Sequence, residues 1–434
     1  MTSDIPVLAA KKALAQGDYA LAWMHVSAFL QEWPKHPEAL ILASQAAWAI
    51  GNSEAAVPLQ LEALIRSPEN RQVQSAILKA FMADTKQEFD LPADPLAGLL
   101  TLMHALPDVG QIPLALGKAL LAKGRMQEAI TSLRTAAKLM PAHGLPVTLL
   151  GLLELDLGLG PAPDRPQAPA SPDRRIAMSD LGERGRFGNQ IIQYLFLLCH
   201  AKKEGLSLET PDWLGSRLLR LEGDNALGTP LPFWKEPSAG ALPFLEKAGP
   251  SLAGRDISGY FNLPTQIYQP WKAEIQAALT PSARLGPRLH RLQAAVSSRG
   301  KTLVALHLRR AERGRETLMP EAPAAWYLDW LKALWPRLDA PVLYLASNKP
   351  GETLPDFAAF DPLSERDLAP PLAGADFIDD FLALSQARHL ALSPSTFSLA
   401  AALAARELES AAIPDFGAQC LVPVDPWKSP PFIS

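Results

Sequence analysis

The chain has 434 residues, 48% of them hydrophobic and 20% charged, with a net charge of −4 and two cysteines, Cys199 and Cys420. That length exceeds one ordinary core, so two or three domains are expected. The charge balance offers no basic excess to attract nucleic acid or an anionic membrane, and two cysteines make no disulfide framework.

The opening, MTSDIPVLAAKKALAQGDYA, lacks a basic region followed by an apolar run and a cleavage site. No stretch reaches the roughly 18 apolar residues a membrane span needs. A soluble, cytoplasmic protein is the expectation.

From there the chain repeats. Gly17 is followed by Pro34, Gly51 by Pro68 and Gly124 by Pro141, each at 17 residues, and the first two pairs are offset by 34. This period predicts tetratricopeptide-like helix–turn–helix units over 1–158. Each glycine would cap a first helix in the left-handed conformation that other residues resist. Ala22, Ala56 and Ala129 would sit where the paired helices approach, and the prolines would close the second helices. Thr85 stands where another glycine is due, and DLPADPLAG breaks the pattern before it resumes near Gly117. Three clear units, one distorted unit and a closing helix over 146–158 are expected. Such a stack leaves a concave groove. It suits a scaffold arm or half of a dimer interface as well as a groove for a peptide or protein. Segment 159–175, rich in Pro and Ala, reads as a semi-extended linker.

The grammar then changes to short β-like runs alternating with helices. RRIAMSDLG, GLSLET, TLVALHL (302–308), PVLYLAS (341–347) and HLALS (389–393) read as strands. Residues 189–204, PAAWYLDWLKALW, FIDDFLALSQAR and TFSLAAALAAREL read as helices. This alternation predicts parallel sheet covered by helices, in two Rossmann-like lobes over 176–295 and 296–434, separated by a Gly/Pro/Ser-containing region.

Ligands of such sheets bind beyond the carboxyl ends of strands. Three unusual segments fall there: GRFGNQ (185–190), HLRRAERGR (307–315) and SPSTFS (393–398). The first and third present backbone N–H groups at helix N-termini, which favour an anion, and Ser395, Thr396 and Ser398 add hydroxyls. Arg309 and Arg310 bring forked guanidinium groups that match phosphate. Together they read as a diphosphate site, hence a nucleotide-sugar site. Singly, each has a plainer reading. Gly182, Gly185 and Gly188 suit a tight turn, the arginines suit an ion pair with Glu312 or Glu316, STFS suits a helix cap, and His307 suits a satisfied core position. Asp376, Asp379 and Asp380 are expected at a helix start on dipole grounds alone. The scattered histidines show no metal-binding spacing, so the leaving diphosphate would be neutralised by fixed cations and helix ends.

GRFGNQ with the following IIQYLFLLCHAKKEG resembles the opening motif of the fucosyltransferase superfamily. It is close to the bacterial α-1,2-fucosyltransferases, and residues 186–190 also look like the start of the protein O-fucosyltransferases. ISGYFN (257–262), HLRRAE (307–312) and DFLALSQARHLALSPSTFSLAAALAA (380–405) resemble later motifs of the α-1,2 family, in the same order across about 174–410. The resemblance implies a GT-B fold, GDP-fucose as donor, and inverting transfer without a metal. Carried over by position, Arg309 would stabilise the GDP leaving group, His307 would help place the donor, and Asn189 would reach it from lobe one. Ser395, Thr396 and Phe397 would hold the diphosphate and nucleotide. Arg186, Gly188, Gln190, Arg310, Ser347, Asp380 and Ser398 complete the expected lining, and Glu312 is the candidate base. Ala311-Glu312 replaces Gly-Asp, Asn262 replaces Gln, and Leu399-Ala400 replaces an aromatic pair, which leaves acceptor and exact sugar open. With the repeat arm, the sequence reads as a GDP-fucose-dependent transferase whose arm recruits a protein acceptor or a partner. A transferase of another sugar nucleotide, such as UDP-N-acetylglucosamine to Ser/Thr, or an inactive repeat scaffold, are the alternatives.

Overall fold

A computed structural model describes residues 5–82, 91–161, 165–166, 171–221, 223–310 and 321–430. It divides into two compact units, Met1–Leu153 with Pro232–Trp234, and Glu154–Leu231 with Lys235–Ser434.

The first unit is built from α1 (Ile5–Ala15), α2 (Tyr19–Glu32), α3 (Pro37–Ala49), α4 (Ser53–Arg66), α5 (Arg71–Met82), α6 (Pro95–Ala105), α7 (Gln111–Ala122), α8 (Met126–Leu139) and the start of α9 (Gly144–Leu159). Gly17, Gly51 and Gly124 take φ of 77°, 79° and 70° between the helices of a pair. A Cβ at any of the three would meet nothing within 4 Å, so glycine is required by backbone conformation and not by space. In the first two pairs the next residue caps the second helix: Asp18 accepts from the Leu21 N–H and Asn52 from the Ala55 N–H. Ala22, Ala56 and Ala129 are fully buried, as the repeat spacing requires. Gly117 lies within α7, where a side chain would strike Leu133 of α8. The distorted unit is the α5/α6 pair, and its Thr85 lies outside the described residues. Leu64, Ile77, Leu99, Ile112 and Leu116 form one continuous core along the stack.

Two five-stranded sheets follow, whose strands fall in the second unit except for Phe233 and Trp234. Lobe one runs β1 (Arg175–Ala177), α10 (Phe187–Glu204), β2 (Ser207–Thr210), α11 (Leu214–Leu218), β3 (Asp224–Ala226), β4 (Phe233–Lys235), β5 (Asp256–Ser258), α12 (Lys272–Ala278) and α13 (Gly286–Arg299). Its strand order is β3-β2-β1-β5-β4, with β1 parallel to both β2 and β5. Lobe two runs β6 (Thr302–Leu308), α14 (Ala324–Leu334), β7 (Pro341–Ser347), α15 (Pro350–Thr353), α16 (Ile378–Ser385), β8 (His389–Ala391), α17 (Thr396–Ala404), β9 (Ser410–Asp415) and β10 (Cys420–Val424). Its order is β10-β9-β8-β6-β7, parallel except for β10 against β9. The chain is therefore a tetratricopeptide-like helical array followed by an α/β unit of the GT-B type.

The sequence reading gave no element to the region between the lobes, where the structure forms α13. Leu292 is its one buried residue, with Leu289 and Val296 half-buried beside it at helical spacing, a stripe the sequence reading passed over. Within the linker, Arg165 and Pro166 are bonded to lobe one. Arg165 donates to Thr210 Oγ1 (2.9 Å), Asp224 Oδ2 (3.0 Å) and the Thr210 carbonyl (2.8 Å). The Ala226 N–H donates to the Pro166 carbonyl. Asp224 is buried, and its carboxyl is pushed up to about 6 by that burial against the pull of Arg165. A guanidinium partner is what a carboxylate in that position needs. The C-terminal segment returns to lobe one, where the Ser429 N–H donates to Thr265 Oγ1 at 2.8 Å.

Candidate functional site

In each lobe the strand order reverses once. In lobe two, β7 lies to one side of β6 and β8 to the other, so the reversal falls between β6 and β8. The crevice at that switch point lies beyond the carboxyl ends of the two strands. Those ends carry His307–Arg310 and Ser393–Phe397. In lobe one the reversal falls between β1 and β5, and the loop leaving β1 leads into α10 through GRFGNQ.

The helix tips of the two lobes meet. Thr396 Oγ1, at the start of α17, donates to Asn189 Oδ1 in the first turn of α10, at 2.7 Å. Gly188 lies against the backbone of Thr396 and Phe397, where a Cβ would overlap main-chain atoms. Phe187 inserts beside them, its ring 4.6 Å from that of Phe377 and 5.5 Å from that of Phe381. Phe397 packs on the same cluster at 6.1 and 5.8 Å, and its other neighbour is the His307 ring at 5.4 Å. Contacts thus run unbroken from β6 through α17 to α10. Two helix N-termini, each with the partial positive charge of its dipole, converge on one place.

His307 is buried at the end of β6, its Nδ1 2.7 Å from Ser393 Oγ. Burial first, and then the Arg309 charge, push its pKa down to about 3. It is a neutral imidazole at physiological pH. It can orient a ligand through a hydrogen bond, but it cannot neutralise a diphosphate. Arg309, at the same strand end, carries the charge, and a guanidinium stays ionised in any such setting.

The other expected residues divide between an exposed position and internal bracing. Arg186 is exposed at the head of α10. Ser395 caps α17, accepting from the Phe397 N–H at 3.3 Å. Ser398 donates to the carbonyls of Ser393 and Ser395, so it holds the turn in shape. Gln190 turns back onto the carbonyls of Gly182 and Gly185 and shapes the loop between them. Ser347 accepts from the Lys349 N–H at the end of β7. Arg310 is engaged within lobe two. Its guanidinium donates to the Ala322 carbonyl and faces Glu321 at 3.7 Å, while Asn348 pairs with its backbone from both sides. Asp380 receives a hydrogen bond from the Tyr344 hydroxyl at 2.8 Å inside lobe two. Burial pushes its carboxyl up to about 8, toward the protonated form. Asp379 pairs with Arg288 of α13. Asp379 and Asp380 are thus held by internal partners, while Asp376 is exposed. Glu312, the candidate base, lies outside the described residues.

Sequence reasoning passed over Ser393, although it stands in the quoted SPSTFS and partners His307. It also passed over Phe187, Phe377 and Phe381, whose meeting depends on the packing of two lobes and leaves no local signature. Among the described residues no helix is long and apolar enough to cross a membrane, and no group of three or more His, Cys, Asp or Glu side chains is placed to hold a metal.

No protein-family model and no curated protein matches the chain. Among solved structures it is similar to the fucosyltransferase NodZ from Bradyrhizobium, at 14% identity, covering 59% of this chain and 99% of that one with a TM-score of 0.42. The NodZ α-1,6-fucosyltransferase soaked with GDP-fucose gives 14% identity, 58% and 99% coverage, and a TM-score of 0.40. MamA from Desulfovibrio magneticus is similar over 36% of this chain and 85% of its own, at 16% identity and a TM-score of 0.20.

Proposed function

We propose that this protein is a glycosyltransferase that takes GDP-fucose as donor, by an inverting, metal-independent route, and passes fucose to a glycan or protein acceptor. The observation that carries the reading is the hydrogen bond from Thr396 to Asn189. It joins two helix N-termini at the switch point of lobe two, beside the strand end that bears Arg309. Such a cradle suits the diphosphate of a nucleotide sugar, with helix dipoles and a guanidinium taking up the charge that develops on the leaving group. His307 and Ser395 would orient the donor, and Arg186 would reach it from lobe one. The reaction displaces GDP from the sugar carbon while the acceptor hydroxyl forms the new C–O bond. The hydroxyl proton passes to a base, for which Glu312 is the candidate.

The helical array would bring the acceptor, or a protein that delivers it, close to this site and raise its effective concentration. The test is a donor-hydrolysis screen of the purified full chain with chelator present, comparing GDP-fucose with UDP-N-acetylglucosamine, alongside calorimetry of GDP against UDP. Turnover of GDP-fucose alone is expected. Turnover of the uridine donor alone transfers the assignment to the other sugar nucleotide, and turnover of neither leaves a scaffold. Removing residues 1–153 is expected to spare donor hydrolysis and to lower transfer to polypeptide.

A further inference from the structure

The switch point of lobe one lies between β1 and β5, which are parallel and in register at Ala177 and Asp256. One side of that crevice is the loop leading to α10. The other side is the turn leaving β5, Gly259-Tyr260-Phe261-Asn262, which the donor site does not use.

This turn is held firmly. The Glu236 carboxylate accepts the N–H groups of Tyr260 and Phe261, at 2.8 and 2.9 Å. The Glu236 side chain also occupies the space a Cβ on Gly259 would need. Phe261 has φ of 51°, a left-handed conformation that costs a bulky residue about 1–3 kcal/mol. Its fully buried ring offsets that cost by stacking on Phe196 of α10 at 4.1 Å and 7°. Ser258 Oγ donates to Asp180 at 2.5 Å, tying the end of β5 to the loop after β1. The outcome of all this bracing is Tyr260, a large ring left 40% exposed at the ligand edge of the sheet. Its exposed surface adds nothing to the core, while three contacts fix the backbone on either side of it.

We propose that Tyr260 is the platform of a saccharide subsite, stacking its ring on the C–H face of a pyranose in the acceptor. This deepens the reading of the cleft as a transferase site and rests on it. A tyrosine suits the task, because it offers a flat apolar body with a polar tip at small entropic cost. A sugar ring matches it, with C–H bonds on one face and hydroxyls around the rim. An isolated serine or threonine hydroxyl on an extended chain has no such face.

Saturation-transfer NMR on the full chain, with lactose and N,N′-diacetylchitobiose and no donor, reads the subsite without any reaction. Transfer to one face of a sugar ring is expected with the native chain, is lost in Tyr260→Ala, and is kept in Tyr260→Trp. GDP affinity stays constant throughout, which shows that the variants are folded. In turnover, Tyr260→Ala should raise the KM for the saccharide acceptor about tenfold, equivalent to about 1.4 kcal/mol, with GDP-fucose hydrolysis unchanged. Absence of saturation from the native chain to either disaccharide, or equal saturation in Tyr260→Ala, overturns the proposal. Saturation without any GDP-fucose hydrolysis overturns the donor assignment instead and leaves the saccharide subsite standing.

Discussion

Gly188 sets two physical effects against each other. It is the second residue of α10, where Gly188→Ala gains up to about 1 kcal/mol of helix propensity. Against this, the new methyl would overlap the Phe397 N and Cα atoms and the Thr396 carbonyl carbon, all main chain. Main chain cannot rotate aside, so the tips of α10 and α17 must part. Overpacking of this kind costs about 1–3 kcal/mol, and backbone neighbours put it at the upper end. Sterics therefore win, and a net loss of about 1–2 kcal/mol is expected in urea unfolding of the full chain. The loss of activity should be larger. Parting the tips by about 1 Å also displaces the Thr396–Asn189 bond, and a misplacement of that size costs about 100-fold in turnover. Gly286→Ala is the control, since Gly286 opens α13 with φ of −48° and a Cβ there meets nothing within 4 Å. It should leave turnover untouched and hold or raise stability. If Gly188→Ala were as stable as Gly286→Ala and equally active, the helix tips would have slack, and the argument for a fixed cradle would fail.

Further outcomes follow from the same site. Thr396→Val keeps shape but removes the donor to Asn189, so it should cost about 1 kcal/mol of stability and weaken GDP binding in calorimetry, with Thr396→Ser restoring both. Arg309→Ala should lose about 3 kcal/mol of transition-state stabilisation, or more than 100-fold in donor turnover, with thermal stability near native; equal turnover would remove Arg309 from the mechanism. His307 is held neutral with its pKa down at about 3, below the unfolded value near 6.5. Its contribution is complete above pH 6.5 and is lost as pH falls toward 3, by about 2 kcal/mol between pH 7 and pH 5. Asp380 and Asp224, with carboxyls pushed up to about 8 and about 6, act in the opposite sense. The readout is therefore the stability gap between the native chain and His307→Gln, which should narrow by that amount over the range. A gap independent of pH would place His307 in a hydrated setting.

Several features could be read directly from residue order, because they depend on local chemistry. A 17-residue glycine-to-proline spacing implies left-handed helix caps whatever surrounds them, and Gly17, Gly51 and Gly124 adopt them. TLVALHL and PVLYLAS form β6 and β7 at the expected bounds, since a parallel strand buried on both faces reads as a nearly continuous apolar run. GRFGNQ and SPSTFS sit at helix starts for the same local reason. Strands β3, β4 and β5 have three residues each, too few to show an alternation. Those elements are defined by their neighbours and not by their own pattern.

The division of labour among the polar residues was decided only in three dimensions. Arg309 and Arg310 are adjacent and chemically identical, yet one stands at the strand end beside His307 while the other is drawn to the Ala322 carbonyl and Glu321. Asp380, expected in the nucleotide lining, is buried in lobe two and accepts the Tyr344 hydroxyl, with burial raising its carboxyl. Composition and spacing determine which groups exist and which backbone shapes are allowed. Whether a charge meets solvent, a partner or a ligand depends on dielectric and distance, and those are set by how two sheets and their helices close around it.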